Sequence, residues 1–230
     1  ISASAVVPPL MNPPPFDIIR DQTAIVLAGT VPLVAVVPLS SPAQTFRQFL
    51  DHARANPGKL NYASSGNGSI QHIGGVLFAR AIGTEMVHVP YRGAAPALQD
   101  VAGGRVEMFI TTPSSAIALV QGGRVKALAM ASARRAPGLP DVPTTAEAGL
   151  PGFTLDAWFA FAAPAATPRP IQERINAAMR EVASQPAVRQ RAEAAGAATA
   201  AMTLEELDAL ARREVAELGV VIRAAGIRLE

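Results

Sequence analysis

Hydrophobic and polar positions recur with two different periods along the middle of the chain. From residue 40 onwards, short apolar runs that are typical of buried strands alternate with stretches in which apolar residues recur at helical spacing. The strands are predicted at residues 59–62, 86–90, 106–110 and 125–131. Three successive strand-loop-helix units predict an α/β fold in which short parallel strands are joined by helical crossovers.

Helix starts are marked by residues that can cap them. Thr45 precedes an apolar pattern of helical spacing, and Ser69 precedes another. Thr144-x-x-Glu147 has the spacing of a capping box and predicts a short helix that ends at Gly149. Thr203-x-x-Glu206 predicts the start of a long final helix in the same way.

A further helix is predicted after residue 168, because apolar residues recur at helical spacing there. The stripe consists of Ile171, Ile175, Met179 and Val182. Such a stripe is expected to face the protein core.

The uncharged segment 22–46 is too interrupted to be a membrane span. Gly29, Pro32 and Pro38 divide it, and the remaining pieces are short and rich in Val. The pattern predicts two separate buried strands, around residues 24–27 and 34–37.

Two strands framed by proline, at 31–38 and 153–164, lie on either side of the central α/β block. They indicate that the chain enters one domain and leaves it again. We therefore expect a first lobe from residues 1–32 and 155–230, a second α/β lobe from residues 33–154, and a crevice between them.

Three loops of the second lobe are rich in Gly, Ser, Thr or Ala, and each begins a helix: Ser64 to Ser69, Tyr91 to Ala95 and Thr111 to Ser114. The carboxyl ends of parallel strands lie at one edge of a sheet, so these loops should converge there. Helix N-termini carry unpaired amides and partial positive charge, which suits a small anion. The alternative for the first loop is a polar connection that Ser69 merely caps.

Composition excludes several other kinds of site. The 230 residues include 20 Lys and Arg against 18 Asp and Glu, so a net charge of +2 gives no support for nucleic-acid binding. The absence of Cys excludes disulfides, thiolate metal sites and a Cys nucleophile. Three scattered His residues and no carboxylate cluster predict no metal, and we expect no cofactor.

Several motifs in sequence resemble one family, the periplasmic Bug receptors of tripartite tricarboxylate transporters. The family's Tyr-x-Ser-x-Gly-x-Gly-Ser-x-x-His motif matches Tyr62 to His72, and its His-Val-Pro-Tyr-Lys/Arg-Gly-x-x-Pro-Ala-x-x-Asp motif matches His88 to Asp100. Leu139 to Thr144, Gly149 to Phe153 and Trp158 to Pro168 follow in the family's order. A departure is Gln71, where many relatives carry a second His.

The resemblance implies a type II periplasmic-binding-protein fold, with two lobes, a ligand cleft between them and two crossing hinge strands. It also implies a monomeric, non-enzymatic periplasmic receptor that passes a small carboxylate (a dicarboxylate, a tricarboxylate, an amino acid or an aromatic acid) to a membrane permease, without inserting into the membrane itself. Family members have further strands and a Pro-Gly-Gly loop before the position of Ile1. We therefore expect the first lobe to be incomplete.

The ligand-facing residues that the loops and the resemblance predict are Ser65, Gly66, Asn67, Gly68, Ser69, His72, Tyr91, Arg92, Gly93, Thr111, Thr112, Asp156 and Trp158. For some of them a structural role is an open alternative: a hydrogen bond for His72, a helix cap for Thr111 and Thr112, solvation for Arg92 and packing for Trp158. His52 and His88 are expected to be structural.

Other classes of protein fit the sequence less well. A hydrolase would need a Gly-x-Ser-x-Gly elbow, which Ser64 and Ser65 do not form. The effector domain of a transcription regulator would be accompanied by a helix-turn-helix or a basic patch. A receptor that presents its ligand to a sensor kinase stays open, because its binding residues would be the same.

Overall fold

The computed structural model describes residues 20–194 and 196–225. The chain divides into two compact units. Unit 1 comprises Ile1–Val31 and Ala157–Glu230, and unit 2 comprises Pro32–Asp156. Both boundaries are associated with strands, since the first lies inside a strand and the second lies at the start of one.

The strands of the described residues form a six-stranded sheet, in which five follow the order β3-β2-β4-β1-β5 and β6 pairs with β1. They are β1 (Gln22–Pro38), β2 (Asn61–Ser64), β3 (Val87–Pro90), β4 (Met108–Thr111), β5 (Val125–Ala131) and β6 (Asp156–Pro164). β2 is parallel to both β3 and β4, whereas β1 is antiparallel to β4 and β5. The predicted parallel arrangement of β2, β3 and β4 is confirmed.

β1 is one continuous strand of 17 residues, so the prediction of two separate strands was wrong. Pro32 lacks an amide proton, but the pairing of β1 with β5 begins only at Leu33, opposite Ala131. A proline is compatible with a strand at a position where the ladder needs no donor. The chain therefore stays extended through Pro32 and passes from unit 1 into unit 2.

Four helices cover the sheet of unit 2: α1 (Phe46–Ala55), α2 (Ile70–Ala81), α3 (Ala94–Ala102) and α4 (Pro113–Gln121). Thr45 caps α1 by accepting from the Gln48 amide, and Ser69 caps α2 by accepting from the His72 amide, as predicted. Tyr62 lies against α2, while Ala63 belongs to the core beneath α3 and α4. Because successive strand residues face opposite sides, α2 covers one face of the sheet and α3 and α4 the other.

The predicted capping box at Thr144 forms, but no helix follows it. The Thr144 amide donates to Glu147 Oε2 over 2.7 Å, and the Glu147 amide donates to Thr144 Oγ1 over 3.2 Å. Residues 145–149 form hydrogen-bonded turns instead of the predicted short helix. A stretch this short cannot offset the cost of helix nucleation.

Unit 1 contains α5 (Arg169–Ser184), α6 (Pro186–Ala194) and α7 (Leu204–Ala225). The predicted capping box at the start of α7 is confirmed: the Thr203 amide donates to Glu206 Oε2 over 2.8 Å, and the Glu206 amide donates to Thr203 Oγ1 over 3.2 Å. α7 buries Leu207, Leu218 and Ile222. In the part of the chain that the structure describes, no helix has the length and apolarity that a membrane crossing requires.

The apolar stripe of α5 is only partly buried, which corrects the prediction that it faces the core. Met179 packs against the core cluster of Ile25, Val26 and Leu204, but the other three members are exposed. Ile171, Ile175 and Val182 are 50%, 39% and 41% exposed, whereas Gln172 and Asn176 are buried. On β6, Phe159 and Phe161 are also exposed, at 45% and 57%. On this buried polar face, Asn176 Nδ2 donates to the carbonyls of Ile25 and Met202, which also belong to unit 1.

Candidate ligand-binding site

Three loops of unit 2 leave the same edge of the sheet. They follow β2, β3 and β4, which are parallel neighbours. The Tyr91 amide donates to the Ser64 carbonyl over 3.1 Å, and the Gly93 amide donates to the Ser65 carbonyl over 3.2 Å. These bonds fasten the loop after β3 directly to the loop after β2.

The loop after β2 is closed by its own hydrogen bonds. The Ser69 hydroxyl donates to the Gly66 carbonyl over 2.8 Å while it caps α2. Gly66 and Gly68 have φ angles of 135° and 74°, which residues with a Cβ rarely adopt. The conformation of this loop therefore depends on both glycines.

The amides of the loop are not all available to a ligand. The Gly66 amide donates to Ser64 Oγ over 3.1 Å, and the Gly68 amide donates to His72 Nδ1 over 3.2 Å. Within the described residues, the amides of Asn67 and Gln71 have no hydrogen-bond partner. Gln71 lies in the first turn of α2, where amides point out of the helix and carry partial positive charge.

Two stacked imidazoles support this loop. The rings of His72 and His88 have centroids 3.6 Å apart and planes 7° apart, and the Tyr62 ring stacks against His88 with centroids 5.1 Å apart. His88 Nε2 lies 2.6 Å from Ser64 Oγ. Burial lowers the pKa of His72 to about 4, and burial together with the charge that His72 would carry lowers the pKa of His88 to about 4. Both imidazoles are therefore neutral at physiological pH.

The sequence indicated a structural role for His88 but did not indicate its partners. The available signal was the strand register, since His88 lies directly opposite Tyr62 in the pairing of β2 and β3. Side chains at paired positions face the same side of a sheet. His88 consequently meets His72 under the loop.

Thr111 ends β4 and is completely buried. Its Oγ1 has no hydrogen-bond partner among the described residues. Thr112 differs, because its Oγ1 is 2.9 Å from Ser115 Oγ and also accepts from Ser114 Oγ over 3.3 Å. Thr112 occupies the cap position of α4 without a side-chain bond to a helix amide. The buried Thr111 hydroxyl at this edge of the sheet is therefore available to hydrogen-bond to a ligand or a water molecule.

The loop after β3 presents one cation. Tyr91 donates its hydroxyl proton to Asp100 Oδ2 over 2.7 Å, and desolvation together with this bond raises the pKa of Tyr91 to about 12. Arg92 is exposed and forms no ion pair with any described residue. Gly93, with φ at 110°, is the N-cap of α3.

The remaining two predicted residues lie on β6. Asp156 is the last residue of unit 2, and partial desolvation raises the pKa of its carboxyl. Trp158 belongs to unit 1, is 3% exposed, and its indole Nε1 has no hydrogen-bond partner among the described residues. In the described ranges, no group of three His, Cys, Asp or Glu side chains is placed to hold a metal ion.

Comparison with known proteins identifies the family. A family model described as "Tripartite tricarboxylate transporter family receptor" matches residues 1–227. The chain belongs to this family. Its members are non-enzymatic solute receptors, and the fold is the α/β fold of type II periplasmic binding proteins.

Among the relatives, a UPF0065 protein from the tcbD-tcbE intergenic region of a Pseudomonas species is 42% identical over 87% of this chain and 60% of its own length. BugT of Bordetella pertussis is 30% identical over 96% of this chain and 68% of its own length. The chain thus spans about 60% of the length of the first curated relatives that it matches.

Solved structures include an R. palustris protein with adipate, with a TM-score of 0.88 and 29% identity over 99% of this chain and 77% of the other. MatC of Rhodopseudomonas palustris with bound malate has a TM-score of 0.81 and 29% identity over 96% of this chain and 77% of the other. Adipate and malate are both dicarboxylates.

Proposed function

We propose that this chain binds a small carboxylic acid in the periplasm, with the loops at the carboxyl edge of unit 2 holding one carboxylate, and delivers the acid to a tripartite tricarboxylate transporter permease. The observation that carries the proposal is the pair of amides at Asn67 and Gln71 without a partner among the described residues. Backbone amides at a helix start are suited to a carboxylate.

Arg92 supplies charge to the same edge. It lies on the loop that is fastened to Ser65 through Gly93, and no described carboxylate pairs with it. A guanidinium can bind a carboxylate with two parallel hydrogen bonds. The dicarboxylates bound by the two R. palustris proteins agree with a site that recognises acids.

Titration calorimetry with malate and adipate tests binding, and a charge-matched pair of variants tests its location. Arg92→Gln should weaken binding about tenfold or more, because a hydrogen bond to a charged group contributes about 1.5–3 kcal/mol. Arg124→Gln is the control, since Arg124 is also exposed but precedes β5 at the opposite edge of the sheet. Equal affinities of the two variants would remove the Arg92 loop from the site.

The location and the partner need separate experiments. Osmotic shock of cells that express the natural protein should release it with the periplasmic fraction. Uptake of radiolabelled acid by cells that carry the permease genes should depend on this protein. If deletion abolishes a transcriptional response to the acid and leaves uptake unchanged, the protein serves a sensor and not a permease.

A further inference from the structure

The stacked pair of His72 and His88 contacts the loop after β2 at two points, the Gly68 amide and the Ser64 hydroxyl. His72 Nδ1 accepts from the Gly68 amide over 3.2 Å. His88 Nε2 contacts Ser64 Oγ over 2.6 Å, and Ser64 Oγ in turn lies 3.1 Å from both the amide and the carbonyl of Gly66. The pair therefore reaches both glycines whose φ angles shape the loop.

We propose that His72 and His88 are positioning residues, which act as one uncharged stacked unit to hold Gly66 and Gly68 so that the Asn67 amide between them stays directed to the ligand. The proposal rests on the function proposed above and deepens it. Neither imidazole needs to touch the acid. Each acts through the backbone that it fixes.

The geometry requires neutral rings. An acceptor at His72 Nδ1 must be unprotonated, because a proton there would face the Gly68 N–H. Two cations 3.6 Å apart would also repel each other strongly. Burial, which lowers both pKa values to about 4, keeps the pair in this state.

The surroundings supply no counter-charge. β2 contributes Tyr62, whose pKa burial raises, so that its hydroxyl is neutral as well. β4 (Met108–Thr111) has no titratable residue. Arg80 lies in the last turn of α2, two turns beyond His72, and Glu107 accepts from the Asn61 amide at the start of β2. No described carboxylate is placed to stabilise an imidazolium here.

Variants that separate shape from hydrogen bonding test the proposal. His72→Asn keeps an acceptor at the position of Nδ1, and His88→Gln keeps a polar atom at the position of Nε2. His72→Leu and His88→Leu fill similar space without either bond. We expect the Asn and Gln variants to bind malate or adipate within about threefold of the parent, and the Leu variants to bind about tenfold more weakly or worse. Leu variants that fold and bind like the parent would overturn the proposal.

A measurement without ligand distinguishes failure of the positioning role from failure of the proposed function. In the free protein, the Gly68 amide should exchange its hydrogen about tenfold faster in His72→Leu than in the parent, and at the parental rate in His72→Asn. If no acid binds but this pattern appears, the pair still holds the loop and the carboxylate function is wrong. Equal Gly68 exchange in the Leu and Asn variants would refute the positioning role, whatever binds.

Discussion

Gly75 of α2 lies directly against the ring of Tyr62 on β2. A Cβ at Gly75 would come within 2.0 Å of Tyr62 Cε2 and 2.2 Å of Cδ2. Both atoms belong to a rigid ring that is 3% exposed and stacks on the His88 imidazole. The absence of a side chain at Gly75 thus allows α2, which begins at the candidate site, to pack closely on the sheet.

Gly75→Ala should destabilise the protein, because the ring of Tyr62 cannot move without displacing His88. Overpacking costs about 1–3 kcal/mol, which exceeds the roughly 0.5–1 kcal/mol that Ala gains over Gly inside a helix. Chemical denaturation measures the difference. Gly219→Ala in α7 is the control, since its Cβ would meet only the flexible end of Arg223, at 3.2 Å. A Gly75→Ala protein as stable as the parent would show that Tyr62 is free to shift.

The free energy of unfolding should decrease as the pH falls from about 6.5 towards 4. The pKa values of His72 and His88 are lowered to about 4 in the folded protein, so in this interval the unfolded chain binds more protons than the native state. Stability is therefore complete above about pH 6.5 and is lost on acidification, by at most about 1.4 kcal/mol per pH unit for each histidine.

Urea denaturation at several pH values, compared between the parent and the double variant His72→Asn/His88→Gln, measures this contribution. The comparison cancels the titration of surface carboxylates that both proteins share. The double variant should have a flatter pH profile between 6.5 and 4. Parallel profiles would mean that the two imidazoles titrate alike in the folded and unfolded states.

Local signals predicted most of unit 2. Thr45 and Ser69 were expected to cap helices and do so, because a cap depends on residues within one turn. The parallel order of β2, β3 and β4 followed from the alternation of strand and helix. The sequence did not show that His88 meets His72, because that contact depends on the register between β2 and β3.

The errors arose where tertiary structure overrides local pattern. Periodicity placed Ile171 and Ile175 in the core, but α5 turns Asn176 inward, where its amide bridges two separate segments. Pro32 looked like a strand break, but the ladder between β1 and β5 begins only at Leu33. Hydrophobic spacing specifies a face of a helix, and it does not specify what that face packs against.

Asn176 should be one of the most sensitive positions of unit 1. Its Nδ2 donates to the Ile25 carbonyl over 2.7 Å and to the Met202 carbonyl over 3.1 Å, and the residue is 5% exposed. Asn176→Ala would leave two carbonyl groups without this donor and should cost about 2–4 kcal/mol of stability. Gln190→Ala on the exposed surface of α6 is the control, expected within about 0.5 kcal/mol of the parent by thermal denaturation. Equal losses in both variants would contradict a role for this bridge.

Thr111→Val should separate stability from binding. Valine has nearly the same shape as threonine, and the Thr111 hydroxyl is completely buried without a partner among the described residues. Removing an unsatisfied polar group should leave the free energy of unfolding unchanged or slightly higher. If that hydroxyl bonds to the bound acid or to a water that accompanies it, affinity for malate or adipate should fall about fivefold or more.

Thr145→Val provides the matched control with the opposite outcome. Thr145 is 1% exposed, and its hydroxyl donates to the Phe153 carbonyl over 2.6 Å. Its replacement should cost about 1–3 kcal/mol of stability, because a buried carbonyl loses its donor, and should leave affinity unchanged. Denaturation and calorimetry should therefore show that Thr111→Val loses affinity but not stability, whereas Thr145→Val loses stability but not affinity. If Thr111→Val lost stability and kept its affinity, the buried hydroxyl would be structural and Thr111 would be excluded from the ligand site.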